Sequence, residues 1–105
     1  MSNDDLLKYL TPGPERGGVI LVDGTVIELE NISGDEDSYR LDPSDLLPHI
    51  DDLAGTWHTH PNATANLSVE DAETYLLWPD LTHYVVGTDG VRAYRVKGSL
   101  VVNAS

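Results

Sequence analysis

Apolar residues along the chain follow two rhythms. From Gly17 to Val22 they run unbroken as Val19, Ile20, Leu21 and Val22, the mark of a buried strand. The next run, Thr25 to Glu30, alternates Val26, Glu28 and Glu30 with Ile27 and Leu29, so one face is buried and the other partly wet. Asp23-Gly24 between the two predicts a two-residue hairpin of type I′, since glycine supplies the positive φ that turn needs. Further strands are predicted over Gly55 to His60, Leu81 to Thr88, Val91 to Val96 and Ser99 to Val102, with Asp89-Gly90 as a second hairpin turn. Helical spacing marks three other segments. Residues 3 to 10 place Leu6, Leu7 and Leu10 along one side behind an Asn3 cap, and Thr11-Pro12-Gly13-Pro14 stops them. Asp42-Pro43 is a helix start, although Pro48 makes that helix short, kinked or delayed. Ser68-Val69-Glu70-Asp71 is a capping-box pattern opening a helix through about Trp78, ended by Pro79. Ser33 to Ser38 reads as a solvated polar loop, too short and wrongly spaced for an EF-hand. The order is helix, hairpin, helix, strand, helix, strands, which predicts an α/β domain around a mixed sheet.

Composition narrows the class. With 105 residues, 1–105 forms one domain with a single core. No apolar run approaches a bilayer span, and acids stand near the N-terminus where a signal peptide carries bases, so a cytoplasmic protein is expected. The absence of cysteine excludes disulfides, thiolate zinc sites and cysteine catalysis. Eighteen acids against six bases give a net charge of −12, and Lys8 and Lys97 are the only lysines. Such a field repels nucleic acid and anionic membranes and favours basic partners or simple solubility; a salt-rich cytoplasm is another source of it.

One stretch carries candidate chemistry. His58 and His60 are two apart, so on a strand both side chains leave the same face and can share one metal ion. Seven residues separate His60 from Ser68, and Asp71 follows three later. Two imidazoles and a carboxylate leave a tetrahedral zinc with an open fourth position, as hydrolytic sites require. Each residue also has a plainer reading. The histidines alone are half-exposed strand residues, Asp71 favours the helix dipole, Ser68 is the helix N-cap, and Glu15 is a surface acid after a Pro-Gly-Pro bend. His49 and His83 stand outside the pattern, His83 reading as a packed or surface strand histidine. Trp57 alternates with the two histidines and is expected on the opposite side, in the core; Tyr75, Leu76 and Trp78 read as core or interface.

The joint spacing of Glu15, His58-x-His60-Pro61, Ser68 and Asp71 resembles the JAMM (MPN+) zinc metallopeptidase family. Glu15-Arg16-Gly17-Gly18, Asn31 and Tyr39-Arg40-Leu41-Asp42-Pro43 are similar to its compact prokaryotic and phage-tail branch, and the likeness covers roughly residues 14 to 96. Gly17, Thr59 and Leu67 depart from residues common in relatives (cysteine, serine and proline), none of them a catalytic position. The resemblance implies a JAMM/MPN-like domain of cytidine-deaminase-like architecture, a mixed twisted sheet flanked by helices. It makes His58, His60 and Asp71 ligands of a catalytic zinc (Zn2+), Glu15 the base for metal-activated water, and Ser68 the donor to the oxyanion. It implies hydrolysis of a peptide or isopeptide bond in a protein or peptide substrate, of phage-tail-assembly type, with any tail or modifier partner a separate protein. An isopeptidase for a small ubiquitin-like modifier and a non-catalytic MPN scaffold are the alternatives, the second weakened because scaffolds usually lose the ligands kept here.

Overall fold

The computed structural model describes residues 2–105. Six strands form one sheet in the order β2-β1-β3-β4-β5-β6. They are β1 (Gly17–Leu21), β2 (Val26–Leu29), β3 (Leu53–Thr59), β4 (Thr82–Gly87), β5 (Gly90–Lys97) and β6 (Leu100–Asn103). β3 and β4 run parallel, and every other neighbouring pair is antiparallel. A parallel pair cannot be closed by a tight turn, so the chain between β3 and β4 makes a long crossover. That crossover contains the helix α2 (Val69–Leu76). The architecture is therefore a single α/β domain around a mixed sheet.

Strand alternation gives the sheet two faces of different character. On one, Trp57 and Ile20 pack with Val86 and with Leu6 of the short helix α1 (Asn3–Leu7). Tyr9 closes this core, its ring 4.5 Å from that of Trp57. On the other, Val85 joins Ala65, Tyr75 of α2 and Tyr94. Val85 and Val86 are adjacent and both fully buried, one to each face. Trp57 thus lies in the core opposite the histidine face, as its alternation predicts.

Several local features differ from expectation. Ser2, not Asn3, caps α1 through a capping box with Asp5, and the helix ends at Leu7. The β1–β2 hairpin is not type I′. The Gly24 N–H bonds Leu21 C=O (2.9 Å), the ladder resumes at Leu21–Thr25, and Gly24 alone takes a positive φ, of 90°. It is a three-residue loop closed by a left-handed glycine, a common alternative that asks nothing unusual of Asp23. Between β4 and β5 the loop residues are Thr88 and Asp89, with Gly90 opening the return strand. After the Asp42 cap, Pro43–His49 forms a 3₁₀ helix: Pro48 has no N–H to continue an α-helical ladder. β3 stops at Thr59, leaving His60 just beyond it.

Candidate metal centre

Sheet register delivers the site. Gly17 of β1 pairs with His58 of β3. The pairing continues past β1, with Thr59 N–H bonding Arg16 C=O (2.8 Å) and Arg16 N–H bonding Thr59 Oγ1 (2.9 Å). Glu15 is thereby brought beside the histidines. His60, beyond the strand, is still tied to β4 by its N–H to Val86 C=O at 2.7 Å. From the other side, Ser68 and Asp71 form the reciprocal capping box: Ser68 Oγ accepts from Asp71 N–H (3.1 Å), and Asp71 Oδ2 accepts from Ser68 N–H (3.1 Å). A residue fixed in the first turn of a capped helix has little freedom, so the Asp71 carboxylate is held over the two rings.

The resulting distances are short. His58 Nε2 and His60 Nε2 are 3.1 Å apart. Asp71 Oδ1 lies 3.1 Å from His58 Nε2, and Oδ2 lies 3.3 Å from His60 Nε2. In a tetrahedral zinc site with bonds of about 2.0–2.1 Å, neighbouring ligand atoms are separated by 1.63 bond lengths, about 3.3–3.4 Å. Two ring nitrogens and two carboxylate oxygens brought this close call for a shared cation, either a proton or a metal ion. These side chains could hold a metal ion. Glu15, His58 and His60 also make a set, offering ligand atoms within 4.8 Å of one another. The two sets share the histidines. Asp71 lies 3.1–3.3 Å from the two ring nitrogens, and Glu15 offers an oxygen within 4.8 Å of them.

Burial sets the electrostatics. It pushes the Glu15 carboxyl up to about 7; the His60 ring draws it back and the negative Asp71 pushes it further. A bound cation would pull it down again. Burial alone would also raise Asp71, but hydrogen bonds from His58 and His60 outweigh this and hold it well below the usual carboxylate range. Those same bonds raise the pKa of His60, against the pull of burial.

Residues outside the sequence pattern complete the surroundings. His60 Nδ1–H donates to Thr64 C=O at 2.9 Å, which leaves Nε2 as the free ligand atom. The Thr64 segment lies directly on Gly87: a Cβ there would come within 2.1 Å of Ala65 N and 2.3 Å of Thr64 C. Asn31 saturates its amide, donating to Glu15 C=O (2.9 Å) and Ser38 C=O (3.0 Å) while accepting from Ser33 and Arg40 N–H. The polar loop after Ser33 is thus anchored to the Glu15 strand. His58 lies between two tyrosines, its ring 6.4 Å from both Tyr39 and Tyr75. Gly17 makes room for Tyr39, whose ring would be 2.7 Å from any Cβ at that position.

His83 is fully buried and is not one of the converging groups. Its Nε2–H donates to Trp78 C=O (3.0 Å), so Nδ1 accepts from the Thr56 hydroxyl (2.7 Å). Burial lowers its pKa to about 4, with the Trp78 carbonyl opposing, and the ring stays neutral. Tyr75 stacks on it at 4.1 Å, and the Tyr75 hydroxyl, among the described residues, is the one buried side-chain polar atom without a partner. His49 sits at the end of the 3₁₀ helix and takes no part. Nothing in a single sequence marks Thr64, Asn31 or Gly87 for these duties, because each depends on a pairing across the fold. All five expected site residues, Glu15, His58, His60, Ser68 and Asp71, line one cleft of about 1050 Å³.

No family model and no curated protein matches the chain. Among solved structures, it is similar to the solution structure of protein DSY2949 from Desulfitobacterium hafniense. The TM-score is 0.77 at 18% identity, over 97% of this chain and 84% of that one. The likeness is one of fold. Among the described residues, no helix is long and apolar enough to cross a membrane.

Proposed function

We propose that this chain is a zinc-dependent metallopeptidase of the JAMM (MPN+) type, built on a JAMM/MPN-like domain of cytidine-deaminase-like architecture. It hydrolyses a peptide or isopeptide bond of a protein or peptide substrate, on the pattern of the phage-tail-assembly branch. The observation that carries this reading is the convergence of His58, His60 and Asp71 at 3.1–3.3 Å with a buried Glu15 beside them. His58, His60 and Asp71 hold the ion. Bound there, zinc supplies a Lewis acid that polarises the scissile carbonyl and acidifies water. Glu15 takes the proton of the attacking water as the C–O bond forms and gives it to the leaving nitrogen as the C–N bond breaks. The Ser68 oxygen accepts from Asp71 N–H, and its own O–H is left to donate to the carbonyl oxygen as that gains charge. No side chain forms a covalent bond to the substrate.

The test is Glu15→Gln, assayed with the wild type on a peptide library whose new termini are sequenced. Wild type should bind about one zinc per chain and cleave. The variant should keep its zinc and fold while its rate falls about 100- to 10,000-fold, the usual cost of losing a general base. A variant that loses zinc makes Glu15 a ligand. One that cleaves at the wild-type rate places the base elsewhere.

A further inference from the structure

Two buried leucines have no place in either core. Leu46 of the 3₁₀ helix is 5% exposed and Leu81, before β4, 9%. Neither joins the cluster around Trp57 or the one around Tyr75. Both line the cleft that holds the histidines, together with Leu53, Leu77 and Trp78. A second cavity of about 240 Å³ opens on Leu53, Leu77, Trp78 and Leu81, so the two hollows share one apolar wall. From His58 to Leu53 is five residues of β3, at most about 17 Å at 3.3–3.4 Å per residue, with a register irregularity between Gly55 and Leu53 that breaks the alternation and lets Leu53 line the same cleft as His58. That is the span of about five residues of extended peptide.

The wall is held rigidly. The Trp78 carbonyl accepts from His83 Nε2–H at 3.0 Å and from Leu81 N–H at 3.3 Å. The buried histidine that takes no part in the metal centre thus pins the turn carrying Trp78 to the sheet. At the rim, Leu77 is 77% exposed, and Ile50, which caps the 3₁₀ helix and lines the smaller cavity, is also left open to water. The charge around the cleft is predominantly negative: Asp37, Glu70 and Glu73 line it with Arg40 as the one fixed positive charge, in a chain of net charge −12. An acidic groove with an apolar end is complementary to a basic chain with an apolar anchor.

We propose that this end of the cleft is a subsite for one large apolar side chain of an extended, basic polypeptide, about five residues from the bond that lies at the histidines. The volumes agree with this. The main cleft is at the upper end of the roughly 300–1,000 Å³ typical of small-molecule sites and holds several residues, whereas the smaller cavity suits one side chain. The proposal rests on the metallopeptidase reading for the position of the bond, but the binding it requires can be measured without turnover.

Zinc-loaded Glu15→Gln protein would be titrated into fluorescein-labelled Gly/Ser decapeptides carrying one Phe and two Lys, with Phe→Ser and Lys→Glu peptides as controls. Fluorescence anisotropy should show the Phe/Lys peptide bound at least about tenfold more tightly than either control, the effect expected of burying one large apolar side chain. Leu77→Asp, at an exposed position that the fold does not need, should remove the preference for Phe. Equal affinities, no binding of any peptide, or an unchanged preference in Leu77→Asp would each overturn the proposal. So would a wild-type dimer that Leu77→Asp dissociates, which would assign the patch to a second copy of the chain. If the Phe preference holds while wild type cleaves nothing, the groove stands and the hydrolase reading fails. If wild type cleaves without regard to Phe, the hydrolase stands and the subsite fails.

Discussion

The two faces of β3 make opposite use of neighbouring residues. Trp57 points into a closed apolar core with Leu6, Ile20 and Val86. Thr56 and His58, on either side of it, point into a cleft floored by imidazoles, a carboxylate and an unpartnered tyrosine hydroxyl. Both faces of the sheet carry a buried apolar cluster, but only the face with His58 also holds ionisable groups that are costly to bury. The β1–β3–β4 pairing and the cluster around Tyr75 and Val85 together hold the polar face in shape.

The comparison breaks or holds on a crossed pair of substitutions. His60→Ala should abolish tight zinc binding, exceeding the roughly 10- to 100-fold that loss of an outer-shell partner costs, while the metal-free protein melts close to wild type once the pH is above the raised pKa of His60. Trp57→Ala should do the reverse, costing about 3–5 kcal/mol of stability with the zinc stoichiometry of the folded fraction kept. Metal analysis beside thermal melts decides it, and equal zinc in His60→Ala and wild type removes His60 from the ligand set. Gly87→Ala sharpens the division, because its methyl displaces the segment carrying the Thr64 carbonyl that orients His60. Zinc affinity should drop about 10- to 100-fold, as for other lost supports of a ligand; a competition titration giving the wild-type value would show that Thr64 does not matter.

pH separates the faces further. The pKa of His60 is raised above 6.5, first by its hydrogen bond to Asp71. In the metal-free protein that pair contributes stability fully present below 6.5 and lost as pH rises through the raised value. Zinc competes with the same proton, so its affinity should change oppositely, weakening by about tenfold per pH unit below the raised pKa and levelling off above it. Asp71, held far below neutrality, adds no slope there. Isothermal titration from pH 6 to 9 would reveal a flat profile if His60 carries no proton. The smallest effect expected is from Tyr75→Phe. Removing a buried hydroxyl with no partner should leave stability unchanged or raise it by about 1 kcal/mol; a clear loss in chemical denaturation would mean that the hydroxyl is satisfied.

Most strands were legible because runs such as Val19-Ile20 and Val85-Val86 state burial directly, although Val22, read as part of the first run, lies exposed beyond the end of β1. The α2 start was legible for the same local reason, since Ser68 and Asp71 satisfy each other within one turn. Turn geometry was less so: Asp23-Gly24 is compatible with more than one loop length, and the ladder at Leu21–Thr25 selects the longer. The five site residues could be placed together from spacing and resemblance. That Glu15 would meet His60 follows from the β1–β3 register, which no local signal fixes. The groove was invisible. Nothing local in the sequence singles out Leu46, Leu53 or Leu81, and only the folded chain leaves them lining a hollow.

The capping box has a consequence for how such a site would decay through descent. Ser68 and Asp71 start α2 whether or not an ion is present, because each satisfies the other's backbone. If the site is the hydrolase proposed, a lineage released from that selection would still be penalised, by about 0.5–2 kcal/mol, for losing the cap. His58 has no such second employment, buried between two tyrosine rings, and His60 only a bond to a loop carbonyl. The histidines should therefore drift first and the serine–aspartate pair last. Among distant descendants, a surviving Ser-x-x-Asp would be a record of a helix, and only the His-x-His a record of the chemistry.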